Sequence, residues 1–254
     1  MRIAILLLTL ASTVGVATGQ DKSVSIEAID RAKYAIVPIV CGAPQQNGDF
    51  TVTKIMGTGF FINEEGYFLT ARHVMADWDK IDTSKGACAP FIYLAIGGWK
   101  NGLETPSPRV RYFRFTSCQI SDQVDIAVCK PIDNPFKDSE VKKDIRFLEF
   151  TDFSGRDDGS PVAFTAYPLD FLRPVTAKGY IASYIPASNQ IVIDRTAWPG
   201  ASGSPVYLSD GRVIGVILQT GIGLGSGLAY ARPSESVLDF LTANHINFHN
   251  AKQH

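Results

Sequence analysis

The sequence predicts an all-β protein built from two packed β-barrels or sandwiches, with a helix at each end. Three observations carry this. Short runs rich in β-branched and aromatic residues, separated by turn-like clusters, fill the chain from Tyr34 to Ala231. A polar connection containing proline, residues 133–145, splits them into two sets of about six strands each. Helical spacing of apolar residues occurs only near the two ends.

Taken in order, Met1-Arg2 is followed by an apolar run from Ile3 to Leu10 and by small residues through Ala17-Thr18-Gly19. A positive start, a short apolar centre and a small-residue exit describe a secretory leader over 1–19. The run is too short for a membrane span, which needs about 20 apolar residues. No membrane association is expected once the leader is removed. Ser25 precedes Ile26, Ile29 and Ala32, which predicts a capped helix over 25–33 with those three residues as its apolar face. Strands are expected at 35–40, 54–62, 66–71, 91–96, 109–116 and 124–131. Turns are expected at 45–49 and 63–66. After the connection, strands are expected at 161–167, 175–184, 190–195, 204–207, 212–218 and 227–231. Ser234 then opens an amphipathic run that predicts a C-terminal helix. The expected organisation is a first barrel over 20–138, a second over 139–232, and a helix and tail over 233–254. No internal repeat is visible.

The formal charge is −1, with Lys and Arg scattered rather than gathered in a stripe. Nucleic acid is therefore not an expected partner. Four cysteines, Cys41, Cys88, Cys118 and Cys129, form an even set in an exported chain. That favours disulfides, and the absence of C-x-x-C spacing argues against zinc or redox chemistry. Cys118 and Cys129 fall in consecutive strand-like runs, so Cys118–Cys129 with Cys41–Cys88 is the preferred of three connectivities.

Chemistry concentrates at Trp198-Pro199-Gly200-Ala201-Ser202-Gly203-Ser204-Pro205-Val206. A serine in a glycine-flanked turn projects its hydroxyl, while the N–H groups of Gly200 and Ser202 can converge on one point. Converging donors stabilise charge developing on a carbonyl oxygen. A serine hydroxyl needs a base, and the base needs an orienting group. Three of the four histidines, His245, His249 and His254, lie in the last ten residues and read as a solvated tail. The i,i+4 pair His245/His249 has no third ligand, and no metal or other cofactor is expected. His73 remains, at the end of the strand-like run Phe68 to Ala71. For the carboxylate, Asp125 stands inside Val124-Asp125-Ile126-Ala127-Val128, where an ion is costly unless hydrogen-bonded. Asp122 sits in a polar turn and Asp194 in a more polar setting. Ser204, the alternative nucleophile, enters a strand, and its hydroxyl is expected to bond to local backbone.

Leu69-Thr70-Ala71-Arg72-His73-Val74, Asp125-Ile126-Ala127-Val128 and Gly200-Ala201-Ser202-Gly203-Ser204-Pro205-Val206 resemble, in that order, the three signature blocks of trypsin-like (chymotrypsin-fold) serine proteases. The similarity extends to Gly57-Thr58-Gly59-Phe60-Phe61-Ile62, Gly211 to Val216 and Gly227 to Ala231. The resemblance implies two antiparallel six-stranded barrels of the chymotrypsin type. It implies Ser202 as nucleophile, His73 as base, Asp125 as its orienting carboxylate, and the Gly200 and Ser202 N–H groups as oxyanion hole. It also places Thr196 at the floor of the primary pocket, with Leu218, Gln219, Thr220 and the 221–227 loop along its walls. That floor lacks an acidic residue, so a neutral or polar side chain is expected there rather than Arg or Lys.

Relatives activated by proteolysis usually carry an aspartate before the serine, where this chain has Ala201. No salt bridge to a freed N-terminus is therefore expected to switch it on. The expected function is a secreted or periplasmic monomeric serine endopeptidase acting on proteins or peptides. The alternative is a catalytically silent binding protein of the same fold. An α/β-hydrolase is set aside, since it requires G-x-S-x-G and the order Ser, Asp, His.

Overall fold

The computed structural model describes residues 23–45, 50–76, 88–99, 109–154, 156–169, 171–221 and 227–251. The expected leader, and most of the expected 45–49 turn, lie outside the described residues. The architecture is two closed, six-stranded antiparallel barrels with few helices, a chymotrypsin-like fold.

The first barrel comprises β1 (Ile36–Pro44), β2 (Phe50–Phe61), β3 (Phe68–Ala71), β4 (Ala89–Ala95), β5 (Val110–Ser121) and β6 (Ile126–Pro131). Its strands pair in the order β1-β2-β3-β6-β5-β4 and close through β1 on β4. The second comprises β7 (Pro161–Ala166), β8 (Val175–Ile185), β9 (Gln190–Ile193), β10 (Pro205–Tyr207), β11 (Val213–Thr220) and β12 (Ala229–Pro233). Its order, β7-β8-β9-β12-β11-β10, repeats that of the first. The two barrels thus share one topology that no sequence repeat announces.

The larger side chains fill the first barrel. Phe60, Phe61, Phe68 and Phe115 are fully buried, and Phe68 meets Phe115 edge-on at 5.2 Å. The second core is built from smaller residues, including Ile191, Ile193, Val206, Ile214 and Ile217. The polar 133–145 connection is ordered by the first core, which buries Val141 and Ile145.

Helix α1 (Ile26–Ala35) starts on a Ser25 cap, with the Ala28 N–H donating to Ser25 Oγ at 3.1 Å. Its buried face matches the predicted one in part: Ala32 is buried and Ile29 packs against it, but Ala28 and Ala35 complete the inward face and Ile26 is 71% exposed. Small side chains let the helix lie close on Ala163 and Tyr207 of the second barrel, although α1 leads directly into the first. Helix α3 (Ser234–Ala243) matches its predicted position, but Ser234 is not its cap. The Ser234 hydroxyl instead donates to the Thr151 carbonyl at 2.7 Å.

The tail is docked as far as Ala251, which corrects the expectation of a free tail although His245 and His249 are exposed; His254 lies outside the described residues. Asn63 Nδ2 donates to Asn247 O at 2.6 Å, and His249 pairs with Glu64 at 3.0 Å while stacking on Phe147. Among the described residues no helix is long and apolar enough to cross a membrane.

Two disulfides join Cys41 to Cys88 and Cys118 to Cys129, the latter being direct cross-strand neighbours on β5 and β6. They span 47 and 11 positions of sequence. On chain-entropy grounds the longer loop contributes about 4 kcal/mol and the shorter about 3. The double variant C41S/C88S should therefore melt below C118S/C129S in a thermal unfolding scan; the reverse order would contradict the loop-length argument.

Candidate active site

The sheet register brings the first two site residues together. β3 and β6 are antiparallel neighbours, with Ala71 opposite Ile126. The residues just after β3 therefore meet the residue just before β6. His73 lies on the short helix α2 (Arg72–Ala76), and Asp125 closes the turn before β6 rather than standing inside the strand as its neighbours suggested. Asp125 adopts φ +53, a left-handed conformation that aspartate tolerates better than most residues. The Arg72 N–H donates to the Asp125 carbonyl at 2.9 Å, which fixes the turn.

The Asp125 carboxylate holds His73 at two points. Oδ1 accepts from the His73 backbone N–H at 3.1 Å, and Oδ2 lies 2.9 Å from His73 Nδ1. This contact makes Nδ1 the protonated nitrogen, leaving Nε2 free to accept a proton. Arg72 Nε lies 3.8 Å from Oδ1, while its Nη1 reaches Asp122 at 3.3 Å. Burial alone would push the Asp125 carboxyl up. The hydrogen bonds and charge of His73, with the charge of Arg72, outweigh it and hold the group below its ordinary value.

Ser202 sits in a turn between β9 and β10, pressed against the first barrel. Gly203 has φ +87, and a Cβ there would collide with Thr58 O and Thr70 Oγ1, so only glycine fits. Gly200 has φ +93, and a Cβ there would collide with Tyr167 O. The Ser202 carbonyl accepts from the Thr58 N–H at 2.9 Å. The Thr58 hydroxyl donates to Gly200 O at 2.8 Å and accepts from the Tyr167 N–H at 2.9 Å. With the Gly200 carbonyl so engaged, neither the Gly200 nor the Ser202 N–H donates to a backbone acceptor among the described residues. The Ser202 hydroxyl donates to the Leu218 carbonyl at 3.1 Å, so its single proton is not on the imidazole in this conformation.

Ser204 is fully buried, and its Oγ finds no hydrogen-bond partner among the described residues. The expected bond to local backbone is absent. Thr196 is half-buried in the β9–β10 connection, beside buried Ala197. Gln219 is exposed and pairs with Tyr230, and Thr220 pairs with Ala229. On β11, β10 pairs with residues from Val213 to Val216, so residues 218–220 of β11 run past its end. Most of the 221–227 loop lies outside the described residues. Among the described residues no cluster of His, Cys, Asp and Glu could hold a metal ion. Sequence reasoning passed over Thr58 as an individual residue. The signal was the alternation Gly57-Thr58-Gly59, which marks close backbone approach in a strand.

A family model described as a trypsin-like peptidase domain matches residues 57–216, more than half of the chain. The chain belongs to the trypsin-like peptidase family. Among solved structures it resembles the crystal structure of Deg5, with a TM-score of 0.59 and 16% identity over 87% of this chain and 95% of that one. At that identity the likeness is one of fold. No curated protein sequence matches the chain. The block that carries the trypsin-like match includes the His73, Asp125 and Ser202 segments together with Thr58.

Two outcomes follow. Thr58→Val orphans the half-buried Gly200 carbonyl and the buried Tyr167 N–H, costing on the order of 2–4 kcal/mol in denaturant unfolding; Thr58→Ser should recover most of it. For Asp125, the folded-state value lies below the unfolded one. Its stabilisation is therefore present above the unfolded value, near 4, and is lost as pH falls through the folded value. The melting temperature of Asp125→Asn should depend less on pH in that acid window than that of the parent.

Proposed function

We propose that the protein is an exported serine endopeptidase in which Ser202, His73 and Asp125 cleave peptide bonds through an acyl-enzyme. The observation that carries this reading is the two-point hold of Asp125 on His73, set against the glycine-walled turn that bears Ser202. In the proposed cycle the Ser202 hydroxyl swings from the Leu218 carbonyl towards Nε2 and gives up its proton there as Oγ attacks the scissile carbonyl. The Gly200 and Ser202 N–H groups receive the oxyanion. His73 then passes the proton to the leaving amine, and water repeats the sequence to free the acid. Asp125 stays ionised throughout, holding the Nδ1 proton and balancing the imidazolium.

The N-terminal leader pattern and the two disulfides support export, since such bonds persist in oxidising compartments. Thr196, Gln219 and Thr220 supply no negative charge to a primary pocket, which favours neutral side chains at the cleavage site. Ala201 is fully buried and brings no carboxylate to receive a freed N-terminus, which supports activity without that salt bridge. Acting as a monomer completes the reading.

One observation favours the catalytically silent alternative: the Ser202 proton rests on Leu218 O. A fluorophosphonate probe separates the two. It should label Ser202 and leave Ser204 unmodified, and Ser202→Ala should lose peptide hydrolysis by on the order of 10⁶-fold in kcat with the fold retained. A folded protein that resists the probe and cleaves no peptide would establish the silent reading.

A further inference from the structure

Beside the Ser202 turn the surface carries four large apolar side chains: Leu169, Phe171 and Leu172 from the β7–β8 connection, and Trp198 from the turn itself. They are 52, 53, 58 and 41% exposed. Single exposed apolar residues are ordinary, but a cluster of this kind marks an interaction site. The cluster is held in place rather than loosely draped. The Leu169 N–H donates to Pro199 O at 2.8 Å, the Phe171 N–H donates to Pro168 O at 2.9 Å, and Leu172 O accepts from the Tyr93 hydroxyl at 3.0 Å. Leu169 itself adopts φ +53, which a leucine rarely does. Backbone strain of this kind persists where the surroundings impose it, and it gathers at ligand-binding positions.

Barrel order decides which part of a substrate would meet these side chains. β10 lies between β7 and β11. Ser202, just before β10, touches Leu218 of β11 through its hydroxyl, while Gly200 packs on Tyr167 and Pro168 at the end of β7. β11 and the β7–β8 connection thus flank the serine on opposite sides. A peptide whose acyl part runs along residues 218–220 would carry its leaving part towards the β7–β8 connection.

We propose that Leu169, Phe171, Leu172 and Trp198 form a leaving-side subsite that selects peptides with bulky apolar side chains just C-terminal to the scissile bond. This rests on the Ser202 acyl-transfer reading. The occupant is argued from continuity: the Leu169 N–H is hydrogen-bonded to Pro199 O of the turn that carries Ser202, so a chain leaving Ser202 on that side meets the patch. Contact there removes apolar surface from water on both partners, the main driving force for such binding.

Partitioning of the acyl-enzyme tests the subsite without knowledge of the natural substrate. p-Nitrophenyl acetate transfers its acetyl group to Ser202 Oγ and releases p-nitrophenol. An added amine then competes with water: its nitrogen forms the new amide bond, Oγ departs, and the amine proton passes through His73 to Oγ. Leucinamide and phenylalaninamide should give N-acetyl amide product at a ratio to acetate about tenfold above that from aspartamide at equal concentration. Phe171→Ser and Leu172→Ser should each lower that preference, and Phe171→Met should restore most of it. The readout is a product ratio, so it is independent of how much protein folds. Labelling of Ser202 by a fluorophosphonate is measured alongside. Labelling with equal partitioning among the amines overturns the subsite alone, whereas no labelling overturns the acyl-transfer reading and the subsite with it. Equal partitioning together with a dimer that Leu172→Ser dissociates in sedimentation would assign the patch to a second copy of the chain instead.

Discussion

One buried threonine holds the two barrels in register where the chemistry would occur. Thr58 belongs to β2 of the first barrel, yet two of its groups make three hydrogen bonds to the second: its N–H holds Ser202 O, and its hydroxyl joins Gly200 O to the Tyr167 N–H. Its own carbonyl accepts from Thr70 Oγ1 at 2.9 Å, which ties the arrangement to the strand that leads into His73. Thr58, Thr70 and Tyr167 are buried while Gly200 and Ser202 are half-buried, and a buried polar group without a partner is costly. The four bonds therefore form together or leave a set of orphans. That coupling makes the relative position of the Ser202 turn and the His73 helix a property of the backbone, not of loose surface loops. It also accounts for Gly203, since any side chain there would occupy the space of Thr58 O and Thr70 Oγ1.

The rest of the chain protects this seam by crossing it twice. Helix α1 leads into the first barrel but packs on β7 and Tyr207 of the second, with Lys178 Nζ of β8 donating to Val24 O at 3.0 Å. At the other end, α3 packs on β11 and β12, and the tail after it returns to the first barrel. There Asn247 exchanges hydrogen bonds with Asn63 and Glu65. Each terminus is thus anchored on the barrel to which it is not directly joined. Sliding one barrel against the other would break both clasps, together with the Thr58 cluster and the edge-on contact of Tyr93 with Tyr167 at 5.9 Å.

What could be read in the sequence follows from the range of the forces involved. Strand positions were legible because alternation and turn chemistry act over a few residues, and each of the twelve strands overlaps its predicted run. The paired disulfides followed from the same local reasoning. The buried face of α1 was legible only in part, because its spacing allows two apolar stripes. The choice fell to the small one only because Ala163 and Tyr207 approach so closely. Asp125 read as a strand residue since its neighbours are apolar, whereas its place in the turn depends on a bond from Arg72, far away in sequence. Thr58 is a common residue whose weight comes wholly from partners in the other barrel. The shared topology of the two barrels left no trace either, since the same strand order is compatible with very different side chains.

The arrangement around Ser202 is asymmetric in a way that bears on how an acyl-transfer site is held ready. On one side the His73–Asp125 pair is fixed by two hydrogen bonds and backed by Arg72, so reorganisation there is small. Ser202 is held differently: its backbone is clamped through Thr58, while its hydroxyl donates to the Leu218 carbonyl. With the turn fixed by Thr58, rotation of the Ser202 hydroxyl leaves the Gly200 and Ser202 N–H groups where they are. If those N–H groups receive the oxyanion, as proposed, they would do so from a backbone already fixed, and preorganised dipoles cost little to align when charge develops. A change of that side-chain torsion moves Ser202 between staggered rotamers without disturbing the backbone hydrogen bonds that hold its turn.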